Sequence, residues 1–245
     1  MKILAVSDIE DLSLERLIEA GESGSKKLED MDCVVSCGDL SKKYLEFVTD
    51  ALNKDFFFVS GNHFIEQFYG DVFKSKKFVK KLYKGKWLKY SFGGSDLHAK
   101  IEVFGDYIFA GFGGAMRYNP GPFQFTEREM LRLVRKVIFK IRVKRFFDVL
   151  FFRKRKEIIV ISHAPVEGVN DCDDVCHKGF SCFKEFIHKM KPLLWLHGHV
   201  HPEGQRKKPT QAYLENTLIL NVIPSKIIEI GKKSRIFVRQ IFNNR

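Results

Sequence analysis

The sequence predicts an α/β protein with a parallel β-sheet and a second, mixed sheet packed against it. Three observations support this prediction. Short apolar runs rich in β-branched and aromatic residues recur along the chain, and each ends in polar or turn residues. Patterns with helical spacing lie between the early runs. Two further stretches carry the central turn residues of antiparallel pairs.

Five apolar runs are predicted to be buried strands, because they are short and bounded by turn residues. They cover residues 3–6, 33–37, 56–59, 158–161 and 193–196. Helical patterns follow the first two runs, one around Leu14, Leu17 and Ile18 and the other over residues 43–52. The order strand, helix, strand predicts parallel pairing through right-handed crossovers.

The antiparallel stretches are residues 101–112, with a turn at Gly105-Asp106, and residues 217–242, with a turn near Gly231. We assign both to the second, mixed sheet. The sequence contains no internal repeat and no linker that would divide it. We therefore expect a single domain over residues 1–245.

A basic segment over residues 127–156 differs from the rest of the chain. Thr126 is a plausible helix N-cap with Glu129 three residues later. Apolar residues then recur at helical spacing, at Met130, Leu131, Val134, Val137, Ile138 and Ile141. Basic residues fall largely off that stripe, and the segment ends in a Phe-rich run followed by Arg153-Lys154-Arg155-Lys156. The pattern predicts an insertion of one or two basic amphipathic helices.

Three roles are open for this segment. It packs on the body with its basic residues in solvent, or it is a lid that admits a phosphate-bearing substrate. Alternatively it lies on an anionic membrane, with Phe side chains buried and basic residues at the headgroups.

Composition favours an anionic partner. Lys and Arg number 42 against 30 Asp and Glu, which gives a formal charge of +12. Such a surface attracts phosphorylated metabolites, nucleic acid or an anionic membrane, although a Lys-rich surface is also an ordinary feature. No run approaches the roughly 20 apolar residues of a membrane span, and the start does not resemble a signal peptide. The five Cys have irregular spacing, so we expect free thiols and a cytoplasmic location.

Polar side chains follow every predicted strand. They are Asp8, Asp39, Asn62, His63, His163, His199 and His201. Because ligands of open α/β sheets bind beyond the carboxyl ends of the strands, these residues are expected to converge on one rim. Singly, such an Asp is usually a cap and such a His a hydrogen-bonded core residue. Together their mixed oxygen and imidazole donors suit Mn²⁺, Fe or Zn²⁺ rather than Ca²⁺.

The strand-end motifs occur in a recognisable order. They read Asp8-Ile9-Glu10, Gly38-Asp39, Gly61-Asn62-His63, Ser162-His163 and Gly198-His199-Val200-His201. In this order the sequence resembles the calcineurin-like metallophosphoesterase superfamily over nearly its whole length. The resemblance implies a four-layer α-β-β-α sandwich with two mixed sheets.

The resemblance also implies a role for each residue. Asp39 would bridge two divalent ions, of which Asp8 and His201 hold one, while Asn62, His163 and His199 hold the other. His63 would stabilise or protonate the leaving oxygen beside the phosphate, and His197 would orient a ligand from behind. The implied reaction is hydrolysis of a phosphate mono- or diester by a hydroxide between the ions. Mn²⁺ is the expected metal, with Fe, Zn²⁺, Ni²⁺ and Co²⁺ as alternatives.

Two positions depart from the family pattern. Glu10 stands where the family has His, so it either binds the first ion, which favours Mn²⁺, or points away and weakens that site. Phe64 stands where many relatives have an acidic residue, which removes a common partner of His63. The alternative function is a catalytically impaired metal-binding scaffold that binds nucleic acid or a membrane through its basic face.

Two residues are candidate substrate contacts. His177 lies in a polar loop after a predicted catalytic strand, and relatives often carry a His-x-Gly near this point. Arg117 lies in the Gly- and Pro-rich residues 111–122, from which it reaches a substrate phosphate or simply solvent. The expected partner is a phosphorylated small molecule or nucleotide. Nucleic acid is not favoured, because no aromatic stacking platform is apparent, and the oligomeric state stays open.

Overall fold

A computed structural model describes residues 1–21, 28–63, 93–202 and 209–241. Its helices are α1 (Leu12–Glu19), α2 (Lys42–Leu52), α3 (Glu127–Leu150) and α4 (Cys182–Met190). Its strands are β1 (Lys2–Val6), β2 (Cys33–Ser36), β3 (Asp55–Phe58), β4 (Ser95–Asp96), β5 (Ile101–Phe104), β6 (Tyr107–Phe112), β7 (Ala115–Met116), β8 (Gln124–Phe125), β9 (Glu157–Ser162), β10 (Leu194–His197), β11 (Gln211–Leu214), β12 (Thr217–Asn221), β13 (Ser225–Ile230) and β14 (Ile236–Arg239).

The larger strands form two mixed six-stranded sheets. The first has the order β14-β13-β1-β2-β3-β4, in which β1 to β4 are parallel and β13 and β14 are antiparallel. The second has the order β11-β12-β10-β9-β6-β5, with a parallel centre and an antiparallel strand at each edge. Strands β7 and β8 form a small separate pair.

Side-chain alternation along the strands builds the layers, since successive residues of a strand point to opposite faces. In β1, Ile3 and Ala5 pack toward β9, where Ile159 and Ile161 are buried in the same cluster. The opposite face of the first sheet packs on α1 and α2, and the opposite face of the second packs on α3 and α4. The result is the predicted four-layer α-β-β-α sandwich.

The predicted strands are confirmed, and so is the hairpin with its turn at Gly105-Asp106. The assignment of the tail to the second sheet is wrong in part. Strand β12 lies in the second sheet beside β10, whereas β13 and β14 belong to the first sheet, where β13 pairs with the free edge of β1. The chain changes sheets at residues 222–224, and Ile228 and Ile230 on β13 are then buried in the core between the sheets. The end of the predicted stretch, residue 242, lies outside the described residues.

The basic segment is occupied by one long helix, α3, which connects β6 to its parallel neighbour β9. It therefore stands where a crossover helix of a β-α-β unit is expected. Thr126 caps it, and Glu129 closes the predicted capping box. The apolar stripe from Met130 to Ile141 is buried against the second sheet.

Helix α3 is longer than the sheet that it covers. Its 24 residues span about 36 Å, whereas the six residues of β9 span about 20 Å. Ile141 is the last apolar residue of the helix in the core, and beyond it only Asp148 is buried in the helix. In the described part of the chain, no helix combines the length and the apolar character needed to cross a membrane.

Candidate metal centre

The predicted convergence of strand-end residues is present at the shared carboxyl rim of the two sheets. Asp8, Asp39, His163 and His199 each place a ligand atom so that all four atoms lie within 4.8 Å of one another. His201 Nε2 lies 3.9 Å from Asp8 Oδ1. The first sheet supplies the carboxylates and the second supplies the imidazoles, so the site exists only because the sheets pack face to face.

His163 has the most informative surroundings of these residues. Its Nδ1 lies 2.9 Å from the carbonyl oxygen of Cys37, and because a carbonyl only accepts, Nδ1 carries the proton of the neutral ring. Nε2 then presents a lone pair to Asn62 Oδ1 at 2.9 Å and to Asp39 Oδ2 at 3.2 Å. Three acceptors facing one another require a proton or a metal cation between them.

Asn62 is held in the orientation that this arrangement needs. Its Nδ2 donates to Tyr118 Oη at 3.1 Å, which turns Oδ1 toward His163. The amide therefore offers an oxygen, the atom through which Asn binds a metal ion, and not its NH₂ group. The residues present fit a metal centre on this ground.

The ionisation of the central carboxylates and His163 is shared among them. Burial alone would lower the pKa of His163, but Asp39 and Asp8 outweigh it and raise that pKa to about 9. Burial would likewise raise the pKa of Asp39, and His163 lowers it instead. The pKa of Asp8 is raised, chiefly by burial. The carboxylates thus favour a positive charge at the point where their oxygens meet the ring.

His199 is a neutral ligand candidate. Burial lowers its pKa to about 3, and its Nε2 lies 2.7 Å from the carbonyl oxygen of Cys176. The carbonyl assigns the proton to Nε2, which leaves the Nδ1 lone pair available for a metal ion. This second carbonyl contact repeats, with the ring nitrogens exchanged, the one that orients His163.

His197 lies deeper than the ligand candidates. It is fully buried, and burial lowers its pKa to about 4. Nδ1 lies 3.0 Å from the carbonyl oxygen of Gly198, while Nε2 has no hydrogen-bond partner among the described residues. The Nδ1 contact goes to the backbone directly before His199, so its predicted role of orienting a ligand stays a prediction.

The backbone at this rim is strained. Asp8, Asp39 and His199 have φ values of 61°, 54° and 67°, in the left-handed region that costs non-glycine residues about 1–3 kcal/mol. Hydrogen bonds within the site offset that cost. His199 N donates to Asp8 Oδ2 at 2.9 Å, and His63 N donates to Asp39 Oδ1 at 3.0 Å.

Two glycines allow the strands to approach this closely. A Cβ atom on Gly61 would lie 2.0 Å from Asp39 Oδ1, and one on Gly198 would lie 2.0 Å from Ser7 Oγ and 2.2 Å from Asp8 Oδ2. No side chain fits at these distances. Glycine at both positions therefore lets the ligand residues lie this close together.

Two predicted residues bond to groups that are not part of the cluster. Glu10 is exposed, and its carboxylate accepts a hydrogen bond of 2.5 Å from Ser41 Oγ at the N-terminus of α2. Arg117 donates to the carbonyl oxygen of Gln124 and pairs with Glu129 Oε2 at 2.8 Å. The structure thus gives Glu10 and Arg117 other partners, and their metal and substrate roles stay predictions.

Two other predicted residues border the cluster. His63 is exposed at the rim beside Asp39. The ring of His177 lies 5.1 Å from that of His199, centroid to centroid, and its Nδ1 lies 2.8 Å from Asp174 Oδ1. Their predicted roles toward a substrate stay predictions. Phe64, the departure next to His63, lies outside the described residues.

Sequence reasoning missed the contacts that orient the ligands. Tyr118 lies in the Gly- and Pro-rich residues 111–122, where the charge of its neighbour Arg117 is the more conspicuous signal. The carbonyl oxygens of Cys37 and Cys176 carry no residue-type signal. Only the position of Tyr118 within that loop could have suggested its role.

Comparison with known proteins yields a family. A family model described as calcineurin-like phosphoesterase matches residues 1–203 of the 245. No curated protein matches the chain.

Three of the solved structures with similar folds come from Thermus thermophilus. The protein TT1561 is 14% identical with a TM-score of 0.54, and the match covers 98% of this chain and 99% of that one. A 5'-nucleotidase precursor is 10% identical with a TM-score of 0.50, covering 98% and 53%. The sulfate thiohydrolase SoxB is 15% identical with a TM-score of 0.50, covering 93% and 42%. At these identities the similarity concerns the fold.

Proposed function

Because this chain belongs to the calcineurin-like phosphoesterase family, we propose that it hydrolyses a phosphate mono- or diester at two divalent metal ions held by the rim. The observation that carries the proposal is the convergence of acceptors on His163, where Nε2 faces both Asn62 Oδ1 and Asp39 Oδ2. Buried acceptors that face one another need a proton on Nε2 or a metal ion between them, and a bound metal ion would take the place of that proton.

The ligands divide into two sets that share Asp39. Asn62, His163 and His199 would hold one ion together with Asp39, and their mutual contacts support this set. Asp8 and His201 would hold the other with Asp39. The second set has one protein ligand fewer, since Glu10 is bonded to Ser41. We expect the ion at Asp8 and His201 to bind more weakly.

The bound ions would polarise the phosphoryl oxygens and lower the pKa of a water molecule from about 15.7 toward 7. The protein's own residues then position the ester. His63, exposed beside Asp39, would stabilise or protonate the leaving oxygen. His177 would contact the substrate beside His199, and its contact with Asp174 supports a fixed ring.

The substrate class follows from charge and from the exposed rim. A formal charge of +12 attracts anions. A phosphorylated small molecule or a nucleotide suits a centre lined by a few imidazoles, and oxygen and imidazole donors together suit Mn²⁺.

The test is a metal add-back assay. Protein stripped of metal is assayed with matched aryl phosphate mono- and diesters after addition of Mn²⁺, with Asp39→Asn as the variant. Because Asp39 contacts both ligand sets, its loss removes several kcal/mol of transition-state stabilisation, and we expect turnover to fall about 10³-fold. Asp106→Asn, on the exposed β5–β6 turn, is the matched control and should keep full activity.

Absence of turnover with Mn²⁺, Fe²⁺, Co²⁺, Ni²⁺ and Zn²⁺ alike would contradict the proposal. It would favour the impaired metal-binding scaffold instead. The ratio of the two ester rates separates a monoesterase from a diesterase.

The role of Glu10 is tested by metal stoichiometry. If its carboxylate stays on Ser41, Glu10→Gln binds as many ions as the unmodified protein, as measured by elemental analysis of the dialysed samples. A loss of one ion in Glu10→Gln would show that Glu10 leaves Ser41 to bind the metal.

A further inference from the structure

The end of α3 and the residues after it form an exposed apolar surface. We call residues 142–156 the overhang, since they follow the last core residue of the helix. Its exposed large apolar side chains are Val143, Phe146, Phe147, Val149, Leu150, Phe151 and Phe152. Phe147 stacks on Phe151 and contacts Phe146 edge-on, with centroids 6.4 and 5.7 Å apart. The rings thus form one continuous patch.

Phe152 is the most unusual residue of the overhang. It ends the helix with a Schellman motif, in which Phe152 N bonds to the Val149 carbonyl oxygen and Arg153 N to that of Asp148. The residue at this position is usually Gly, yet Phe152 has a φ of 53° and its side chain is 99% exposed. A strained backbone and a bare aromatic ring both cost stability, and no contact among the described residues compensates for the exposed ring.

Basic residues flank this apolar patch along the chain. The overhang contains seven basic side chains and one acidic one, Asp148. They are Arg142, Lys144, Arg145, Arg153, Lys154, Arg155 and Lys156. Asp148 is buried and paired with Lys144. The exposed face of the overhang is therefore positive as well as apolar.

We propose that the overhang is a docking surface for an anionic lipid bilayer. Aromatic and aliphatic side chains at the tip would enter the headgroup region, and the surrounding basic side chains would meet anionic headgroups. This occupant accounts for both the apolar and the positive character of the patch. It also accounts for Phe152, whose strained backbone directs the ring outward.

The overhang lies at the edge of the second sheet opposite the metal centre. Strand β9 starts at Glu157, directly after the overhang, and ends at Ser162, next to His163. Its six residues place about 20 Å between the two. A docked molecule would hold its rim away from the bilayer, so the overhang is not a lid, and the docking inference does not depend on the proposed hydrolysis.

The test is co-sedimentation of the full chain with vesicles. Vesicles of phosphatidylcholine mixed with phosphatidylglycerol are compared with pure phosphatidylcholine, at low and high salt. We expect binding to the mixed vesicles that weakens with salt. Replacing Arg153 and Arg155 by Gln should lower the partition coefficient about fivefold for each residue. The control is Lys232→Gln combined with Arg235→Gln, an exposed pair outside the overhang. This control should leave the partition coefficient unchanged.

Phe152→Gly separates docking from folding. Gly suits the left-handed position, so this variant should keep or raise the melting temperature while its partition into mixed vesicles falls about tenfold. Phe237→Ser, a half-exposed Phe on β14, is the control and should bind normally.

Failure of the unmodified chain to bind mixed vesicles would overturn the inference. So would equal losses in the overhang variants and their controls. A dimer in solution that Phe152→Gly dissociates, without vesicle binding, would assign the patch to a second copy of the chain. Aryl phosphate turnover, unchanged in Phe152→Gly, reports separately on the metal centre.

Discussion

The rim and the overhang stand at opposite ends of the second sheet, and both hold non-glycine residues in the left-handed region. At the rim these are Asp8, Asp39 and His199, and at the overhang it is Phe152. The rim residues are nearly buried and accept or donate hydrogen bonds within the site. Phe152 is almost completely exposed, with only the helix-ending backbone bonds to hold it.

This difference distinguishes two ways of storing strain. At the rim, hydrogen bonds between residues of the two sheets offset the strain, and these bonds belong to the fold itself. At the overhang, no side-chain contact among the described residues offsets the exposure of the Phe152 ring. We infer that the rim is preorganised for chemistry, whereas the overhang gains its stabilisation from something outside the chain.

Among the changes that compare the rim with the overhang, the largest expected effect comes from disturbing the close approach of backbone and ligands at the rim. In Gly61→Ala the new Cβ would lie 2.0 Å from Asp39 Oδ1, so the carboxylate must move by about 1 Å or more. We expect Mn²⁺-dependent turnover to fall about 10²-fold. Gly93→Ala, with open space at its Cβ position, is the control. Full activity in Gly61→Ala would mean that the rim is not preorganised.

The next effect separates the two parts of α3. Ile141 is fully buried, so Ile141→Ala should lower the free energy of unfolding by about 2–5 kcal/mol. Val149 is 75% exposed, and Val149→Ala should change it by no more than about 0.5 kcal/mol. Denaturant titration measures both. Equal losses would show that the overhang is packed on the body.

A smaller effect is expected at Tyr118. Phe at this position keeps the ring but removes the hydroxyl that accepts from Asn62 Nδ2. Because residues that orient a ligand typically contribute 10–100-fold to metal affinity, Tyr118→Phe should weaken Mn²⁺ binding about tenfold. Calorimetric titration of the metal measures this change. Tyr213→Phe, at an exposed ring, should have no effect, and an unchanged affinity in Tyr118→Phe would show that other contacts orient the amide.

The smallest expected effect is a gain in stability, whereas the other changes lower activity, stability or metal affinity. Phe152→Gly relieves a left-handed residue, which is worth about 1 kcal/mol, and should raise the melting temperature by about 2–4 °C. Phe151, with a φ of −99°, carries no such strain, so Phe151→Gly should not stabilise the protein. A melting temperature lowered by Phe152→Gly would mean that the ring makes contacts that stabilise the chain.

Much of the fold was predictable because the spacing of apolar residues within a short stretch of sequence indicates the helix or strand that it forms. The short apolar runs marked the strands, and the polar residue after each run marked the rim, as Asp39 and His163 illustrate. The capping box of Thr126 and Glu129 located the start of α3. The family motifs then implied the sandwich, and the two mixed sheets confirm it.

Other features depended on packing that no local pattern contains. The length and basic charge of α3 predicted an insertion, and in the structure the helix connects the parallel strands β6 and β9. A long basic helix has the same sequence pattern whether or not it connects two parallel strands. Glu10 was expected to approach the metal or point away, and Ser41 on a neighbouring element holds it. Arg117 drew attention through its charge, but Glu129 and the Gln124 carbonyl oxygen engage it.

By itself, the sequence determined which residue types stand at the strand ends and hence which chemistry the rim supports. The tertiary structure alone decided which atoms of those residues are available. His163 presents Nε2 and His199 presents Nδ1 because different backbone carbonyl oxygens take the other ring nitrogen. A carbonyl is present in every residue, so its contribution depends on where the fold brings it and not on which residue carries it.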